Sequence, residues 1–163
     1  MYKRQVFTTP FTYVATAEVI ALLGATPVFV DVYDSTFNID CEKLEIAIQD
    51  TIKNGELTPK AIIPVDLFGV PARYRLIDSI AKKYNLKVIE DGAQSFGASI
   101  GKKKVGTFGD VAATSFYPAK PLGCYGDGGA MFTNDDYLAE QCKAIRIHGT
   151  SSDRYNSEVI GLN

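Results

Sequence analysis

Apolar positions along the chain switch repeatedly between a helical and an extended period. Residues 16–24 carry apolar side chains at helical spacing and stop at Gly24. "TPVFVDV" (26–32) is short and rich in β-branched residues, which predicts a strand. "CEKLEIAIQDTI" (41–52) returns to the helical period through Leu44, Ile48 and Ile52, with Asp40 placed to cap it. "KAIIPVDLFG" (60–69) predicts a second strand with an irregularity at Pro64. "RYRLIDSIAKKYN" (73–85) predicts an amphipathic helix with Leu76, Ile77, Ile80 and Ala81 on its inner face. Three more strands are expected at "LKVIED" (86–91), "DVAATSFY" (110–117) and "GGAMFT" (128–133). "DYLAEQCKAIRIHG" (136–149) closes the series as a helix stopped by Gly149. Near-continuous apolar strands separated by helices predict an α/β fold with a mainly parallel sheet flanked by helices.

In such folds ligands sit beyond the carboxyl ends of the strands, and two stretches there carry chemistry. "VIEDGAQSFGA" (88–98) is an apolar run that ends in Glu90 and Asp91 and turns at Gly92. "SFYPAKPLGCYGDGGA" (115–130) holds Lys120 between Pro118 and Pro121, followed by Gly123, Gly126, Gly128 and Gly129. Prolines stiffen that backbone and glycines permit close approach, so the lysine is expected to be held in place. A positioned lysine amine can form a Schiff base with a carbonyl. Schiff-base lysine paired with a carboxylate on a pyridinium nitrogen is the pairing that pyridoxal phosphate demands. Taken singly, Asp91 reads first as a turn or cap residue, and Lys120 more strongly still as a surface lysine. The glycine run matches neither dinucleotide nor nucleotide phosphate loops.

Composition narrows the picture further. With 163 residues, 46% hydrophobic and 22% charged, the chain suffices for one domain with a substantial core. A net charge of -2 gives no field favouring nucleic acid or an anionic membrane. The basic run Lys102, Lys103, Lys104, beside Gly101 and Gly106, predicts a solvated hairpin tip. Three cysteines without a CxxC spacing argue against a disulfide framework or a zinc site and suggest a reducing compartment. Lys3 and Arg4 precede an apolar stretch, but Thr8, Thr9, Pro10, Thr12 and Glu18 interrupt it, so neither leader peptide nor membrane span is expected. The expected location is the cytoplasm.

"EDGAQSFGA", "GTFGDVAATSFYPAKPLGCYGDGGAMFTND" and "RIHG", with "TPFTYVATAEVIALLGATPVFVDV" and "IPVDLFGVPA", resemble the DegT/DnrJ/EryC1/StrS family of sugar aminotransferases dependent on pyridoxal phosphate. The resemblance runs from about Phe7 to Asn163. It implies pyridoxal-phosphate-dependent transferase fold type I, with residues 1–163 as the central part of the large, cofactor-binding domain of an aspartate-aminotransferase-like fold. An upstream phosphate-clamp segment and a C-terminal small domain are expected beyond the chain. Lys120 matches the lysine that binds the cofactor and later acts as base. Asp91 matches the partner of the pyridine nitrogen, Gln94 the amide at the phenolic oxygen and Ser115 a hydroxyl on the phosphate. Tyr13 matches the aromatic residue stacked on the ring. Asn163 matches a residue donated to the neighbouring subunit's phosphate site. Gly92 and Arg73 stand where alanine and an acid are common.

The implied reaction moves an amino group from glutamate to a nucleotide-linked keto-sugar, in a homodimer. Within the family, "SFYPAKPLGCYGDGGAMFTND" resembles most the branch that aminates UDP-2-acetamido-2-deoxy-3-oxo-glucuronate for O-antigen. Two alternatives accompany that expectation: a non-catalytic fragment that pairs with a full-length subunit, and a sugar dehydratase of the same fold. The dehydratase branch carries histidine at the lysine position, so Lys120 argues against it. His148, the one histidine of the sequence, reads as a helix-end residue or a substrate contact.

Overall fold

The computed structural model describes residues 4–150, 156, 157 and 159–161. Six strands form one sheet in the order β2-β1-β3-β4-β7-β8. They are β1 (Arg4–Thr8), β2 (Thr26–Phe29), β3 (Thr58–Ile63), β4 (Lys87–Asp91), β7 (Val111–Ser115) and β8 (Gly129–Phe132). The first five neighbours in that order run parallel, and β8 pairs antiparallel with β7. The helices are α1 (Ala15–Leu22), α2 (Cys41–Asn54), α3 (Tyr74–Tyr84) and α4 (Asp136–Ile145). The α/β architecture expected from the alternating periods is therefore present.

The main core lies between the sheet and α2 and α3, where Phe7, Ile39, Leu44, Ile48, Ile62 and Ile77 are wholly buried. Asp40 caps α2 as expected, its carboxylate accepting from the Glu42 and Lys43 amides at 2.9 and 3.2 Å. Gly55 ends that helix in the left-handed conformation that glycine adopts without strain. Two expected core residues are exposed instead: Ile52 and Leu76. The inward stripe of α2 runs Leu44, Ile48, Thr51, and that of α3 runs Tyr74, Ile77, Ile80, Ala81. One residue off such a stripe turns the side chain by about 100°, which carries Ile52 and Leu76 into solvent.

Other differences have local causes. β1 was hidden because it offers only Val6 and Phe7 as apolar residues; its inner end is instead sealed by Thr8, whose hydroxyl donates to the Ile63 carbonyl at 2.9 Å. β2 stops at Phe29, and the chain then bends so that Val32 bridges Ile39. β3 stops before Pro64, which has no N–H to continue a ladder, and residues 67–69 wind into a single 3₁₀ turn. α4 ends at Ile145, and Gly149, at φ 81°, terminates the turn beyond it. The expected hairpin is present: Gly101 and Lys102 form its turn between β5 (Ser99–Ile100) and β6 (Lys103–Lys104), and all three lysines are exposed. Cys41, Cys124 and Cys142 are all free thiols. Among the described residues no helix is long and apolar enough to cross a membrane.

Candidate active site

The carboxyl ends of β4 and β7 and the start of α1 surround a cleft of about 1340 Å³ lined by Tyr13, Thr16, Asp91, Gln94, Ser115 and Lys120. Five of the six predicted site residues are thus brought to one cleft by three separate segments: Tyr13 before α1, Asp91 and Gln94 at the end of β4, and Ser115 and Lys120 at the end of β7. The sixth, Asn163, lies outside the described residues. His148 stands apart from this cleft, exposed and left-handed at φ 63°.

The adjacent acids of β4 separate by the period of the strand. Successive side chains of a strand point to opposite faces. Glu90 is wholly buried, and its carboxylate accepts from the Gly106 amide at 2.6 Å and the Phe108 amide at 3.0 Å. That carboxylate holds the loop before β7 and is occupied. Asp91 faces the cleft. Its Oδ1 accepts from the Ala93 amide at 3.2 Å and its Oδ2 from the Thr16 hydroxyl at 2.8 Å. The Thr12 hydroxyl meets Thr16 at 2.9 Å; since Thr16 donates to Asp91, Thr12 donates to Thr16. Thr16 in α1's first turn, backed by Thr12 just before the helix, thereby fixes the orientation of the carboxylate together with the Ala93 amide.

On β7 and the loop after it, the Ser115 oxygen accepts from the Tyr117 amide at 3.2 Å and keeps its own proton free to donate. The Lys120 amide donates to the Tyr117 carbonyl at 2.8 Å and the Cys124 amide to the Phe116 carbonyl at 2.8 Å, so the proline-flanked loop is tightly wound. A side chain at Gly123 would overlap the Pro118 carbonyl, which explains why glycine is needed there. No hydrogen bond or ion pair engages the Lys120 amine among the described residues. Gln94 accepts at Oε1 from the Phe68 amide, 3.0 Å. Tyr13 is exposed at the rim.

Behind the cleft lies a second buried carboxylate that the sequence reading passed over. Asp66 is wholly buried between Val65 and Leu67, and an acid in that setting was itself the available signal. It accepts from the Ala72 amide at 2.9 Å, the Tyr74 hydroxyl at 2.8 Å and the Ser95 hydroxyl at 3.0 Å. Tyr74 in turn stacks on Phe108, ring centroids 4.5 Å apart. Burial pushes the Asp66 carboxyl up to about 6; the three donors oppose the rise and Glu90 adds to it. Burial and the nearby carboxylates hold the Tyr74 phenol well above its ordinary range, so it remains a donor.

A carboxyl raised on folding contributes stability that is full below its unfolded value, about 3.9, and lost as pH rises through the folded value. The rise to about 6 corresponds to about 3 kcal/mol. Asp66→Asn, which keeps the acceptor for Ala72 and Tyr74, should therefore gain stability relative to the parent between pH 4 and pH 7. Denaturant unfolding across that range checks it; parallel curves for the two proteins would contradict it.

The sequence model of the DegT/DnrJ/EryC1/StrS aminotransferase family matches residues 2–163. The chain belongs to that family. It is 53% identical over 161 residues to the UDP-2-acetamido-2-deoxy-3-oxo-D-glucuronate aminotransferase of Pseudomonas aeruginosa, covering 98% of this chain and 42% of that protein. Its fold superposes with a TM-score of 0.98 on a DegT/DnrJ/EryC1/StrS aminotransferase from Brucella abortus, 55% identical, covering 99% of this chain and 43% of the other. NtdA of Bacillus subtilis, solved with bound cofactor PMP, is 32% identical with a TM-score of 0.84, covering 99% of this chain and 35% of NtdA. The chain thus spans about two-fifths of the length of the relatives it matches.

Proposed function

We propose that this chain carries the reactive half of a pyridoxal-phosphate-dependent nucleotide-sugar aminotransferase, in the large domain of a homodimeric enzyme that aminates a UDP-linked 3-keto-sugar acid with glutamate as donor. The observation that carries this reading is the convergence of an uncommitted lysine amine, an oriented carboxylate, a locked amide and a free hydroxyl proton on one cleft. The likeness to the Pseudomonas aeruginosa enzyme supports the choice of substrate, and its chemistry suits the building of a surface polysaccharide such as O-antigen in the cytoplasm.

The donor set fits pyridoxal phosphate. Bound there, that cofactor would supply an aldehyde able to take up an amino group and a ring able to accept the electron pair left when a neighbouring C–H bond breaks. Asp91 offers a negative charge, aimed by Thr16 and Ala93, to a protonated ring nitrogen. Gln94 would face the phenolic oxygen, the Ser115 hydroxyl would donate to the phosphate, and Tyr13 would cover the ring face. Lys120 would hold the cofactor through its amine, and once released it can take a proton from the substrate carbon and return it elsewhere. Asn163 of one subunit would complete the phosphate site of the other. The dehydratase reading is disfavoured, since that branch carries histidine at the position matched by Lys120, which lines this cleft.

The test is transfer of label. With pyridoxal phosphate, amino-labelled glutamate and the UDP-linked 3-keto-sugar acid, the intact protein should place the label in the nucleotide sugar, read by mass spectrometry. Label confined to glutamate in the presence of that and other nucleotide-linked keto-sugars would sink the proposal.

A further inference from the structure

Phe68 adopts a left-handed backbone, φ 55° and ψ 21°, that a residue with a Cβ disfavours. Its ring, though 64% exposed, meets the Phe11 and Phe37 rings edge to face at centroid distances of 6.1 and 5.9 Å. The conformation also delivers the Phe68 amide, which donates to Gln94 Oε1 at 3.0 Å. A glutamine amide has one acceptor oxygen and an NH₂ donor, and which end faces where is set by its partners. With Oε1 committed to Phe68, the end left to offer the cleft is the donor, Nε2.

Both halves of that contact are tied to Asp66. Phe68 lies two residues after it, in a turn closed by the Gly69 amide on the Asp66 carbonyl and by the Ala72 amide on Asp66 Oδ1. Ser95, the neighbour of Gln94, donates its hydroxyl to Asp66 Oδ2 at 3.0 Å. The Asp66 amide donates to the Asp91 carbonyl at 3.0 Å, and the Asp91 amide to the Pro64 carbonyl at 3.0 Å, which holds the turn against the end of β4. The fit is close: a Cβ on Gly69 would stand 3.3 Å from the Gln94 carbonyl.

We propose that Asp66 is a positioning residue for Gln94: acting through Ser95 and the Phe68 amide, it makes Gln94 present a hydrogen-bond donor to the cleft, so that the site favours a ligand whose facing oxygen is anionic. This rests on the reading that the cleft takes pyridoxal phosphate with its phenolic oxygen towards Gln94. A carboxylate that served only to close the β3–α3 connection would need the Ala72 and Tyr74 donors alone. The tie to Ser95 reaches across to the loop that carries Gln94, and that tie can be cut by itself.

The experiment uses the intact protein loaded with pyridoxal phosphate and reads the pH midpoint of the bound cofactor's visible absorption, together with cofactor affinity and thermal midpoint. A donor at the phenolic oxygen stabilises its anionic form, so losing the donor moves the absorption midpoint up. Gln94→Leu should raise it by about one pH unit, the worth of about one hydrogen bond. Ser95→Ala should raise it in the same direction by a smaller amount and weaken cofactor binding severalfold. In the Gln94→Leu background Ser95→Ala should add nothing, because both changes remove the same oriented donor. A Ser95→Ala protein with a lower thermal midpoint but an unmoved absorption midpoint would overturn the proposal, as would equal shifts in both backgrounds. If Gln94→Leu itself moves neither absorption nor affinity, the underlying reading of the cleft falls, and the proposal with it.

Discussion

Replacing Lys120 with alanine should remove the visible absorption of the cofactor-loaded protein and reduce amino transfer by about 10⁴-fold, the upper end of what a positioned acid–base group contributes. The loss should be chemical rather than structural. The Lys120 amine makes no hydrogen bond or ion pair among the described residues. Its loop is instead held by main-chain bonds from the Lys120 and Cys124 amides, which alanine leaves in place. Thermal stability should therefore shift within the small range of a surface change, about 0.5 kcal/mol. Arginine should not rescue, because a guanidinium stays protonated and cannot act as nucleophile or base. Absorbance of the loaded variants, with single-turnover reaction with glutamate, decides the matter. Retention of the visible band by Lys120→Ala would contradict the assignment.

The second large effect belongs to Asp91. Asparagine preserves its shape and can still accept from the Ala93 amide, but it brings no negative charge to the cleft. Charge placed where a transition state develops its complement is commonly worth about 10²–10³-fold in rate. Asp91→Asn should accordingly lose about that much in the single-turnover transfer step while cofactor binding remains largely intact. Thr16→Val, which removes the donor to Asp91 Oδ2, should lose less in the same step, since it frees the carboxylate without discharging it. Near-normal single-turnover transfer by Asp91→Asn would refute the role.

How much of this could be read in the chain follows from where the information is local. The α2 and α3 helices, the β4 strand and the hairpin tip announce themselves through period and punctuation, each within about a dozen residues. β1 does not, because its place between β2 and β3 is decided by partners outside its own stretch of sequence, such as Phe29 and Ile63 for Thr8. In the site, Lys120 and Asp91 stood out by residue type beside Pro and Gly, and the family resemblance joined them. Sequence could not tell which of Glu90 and Asp91 serves the cleft by composition, although strand alternation separates them once Asp91 is placed. Thr12 and Thr16, spaced four apart, matter only because α1 begins opposite the end of β4. Asp66 was passed over as one more residue of a strand that in fact ends at Ile63. Its three partners come from α3's start and from the Gln94 loop, contacts that no single stretch of sequence contains.

The central claim, that these strand ends form a pyridoxal phosphate site with Lys120 as its covalent anchor, is tested most directly by borohydride reduction of the loaded protein followed by peptide mass analysis. The account predicts one modified peptide, covering the stretch after β7, with the reduced cofactor on Lys120 alone. Stoichiometric label on any of the other lysines, with Lys120 unmodified, would contradict it.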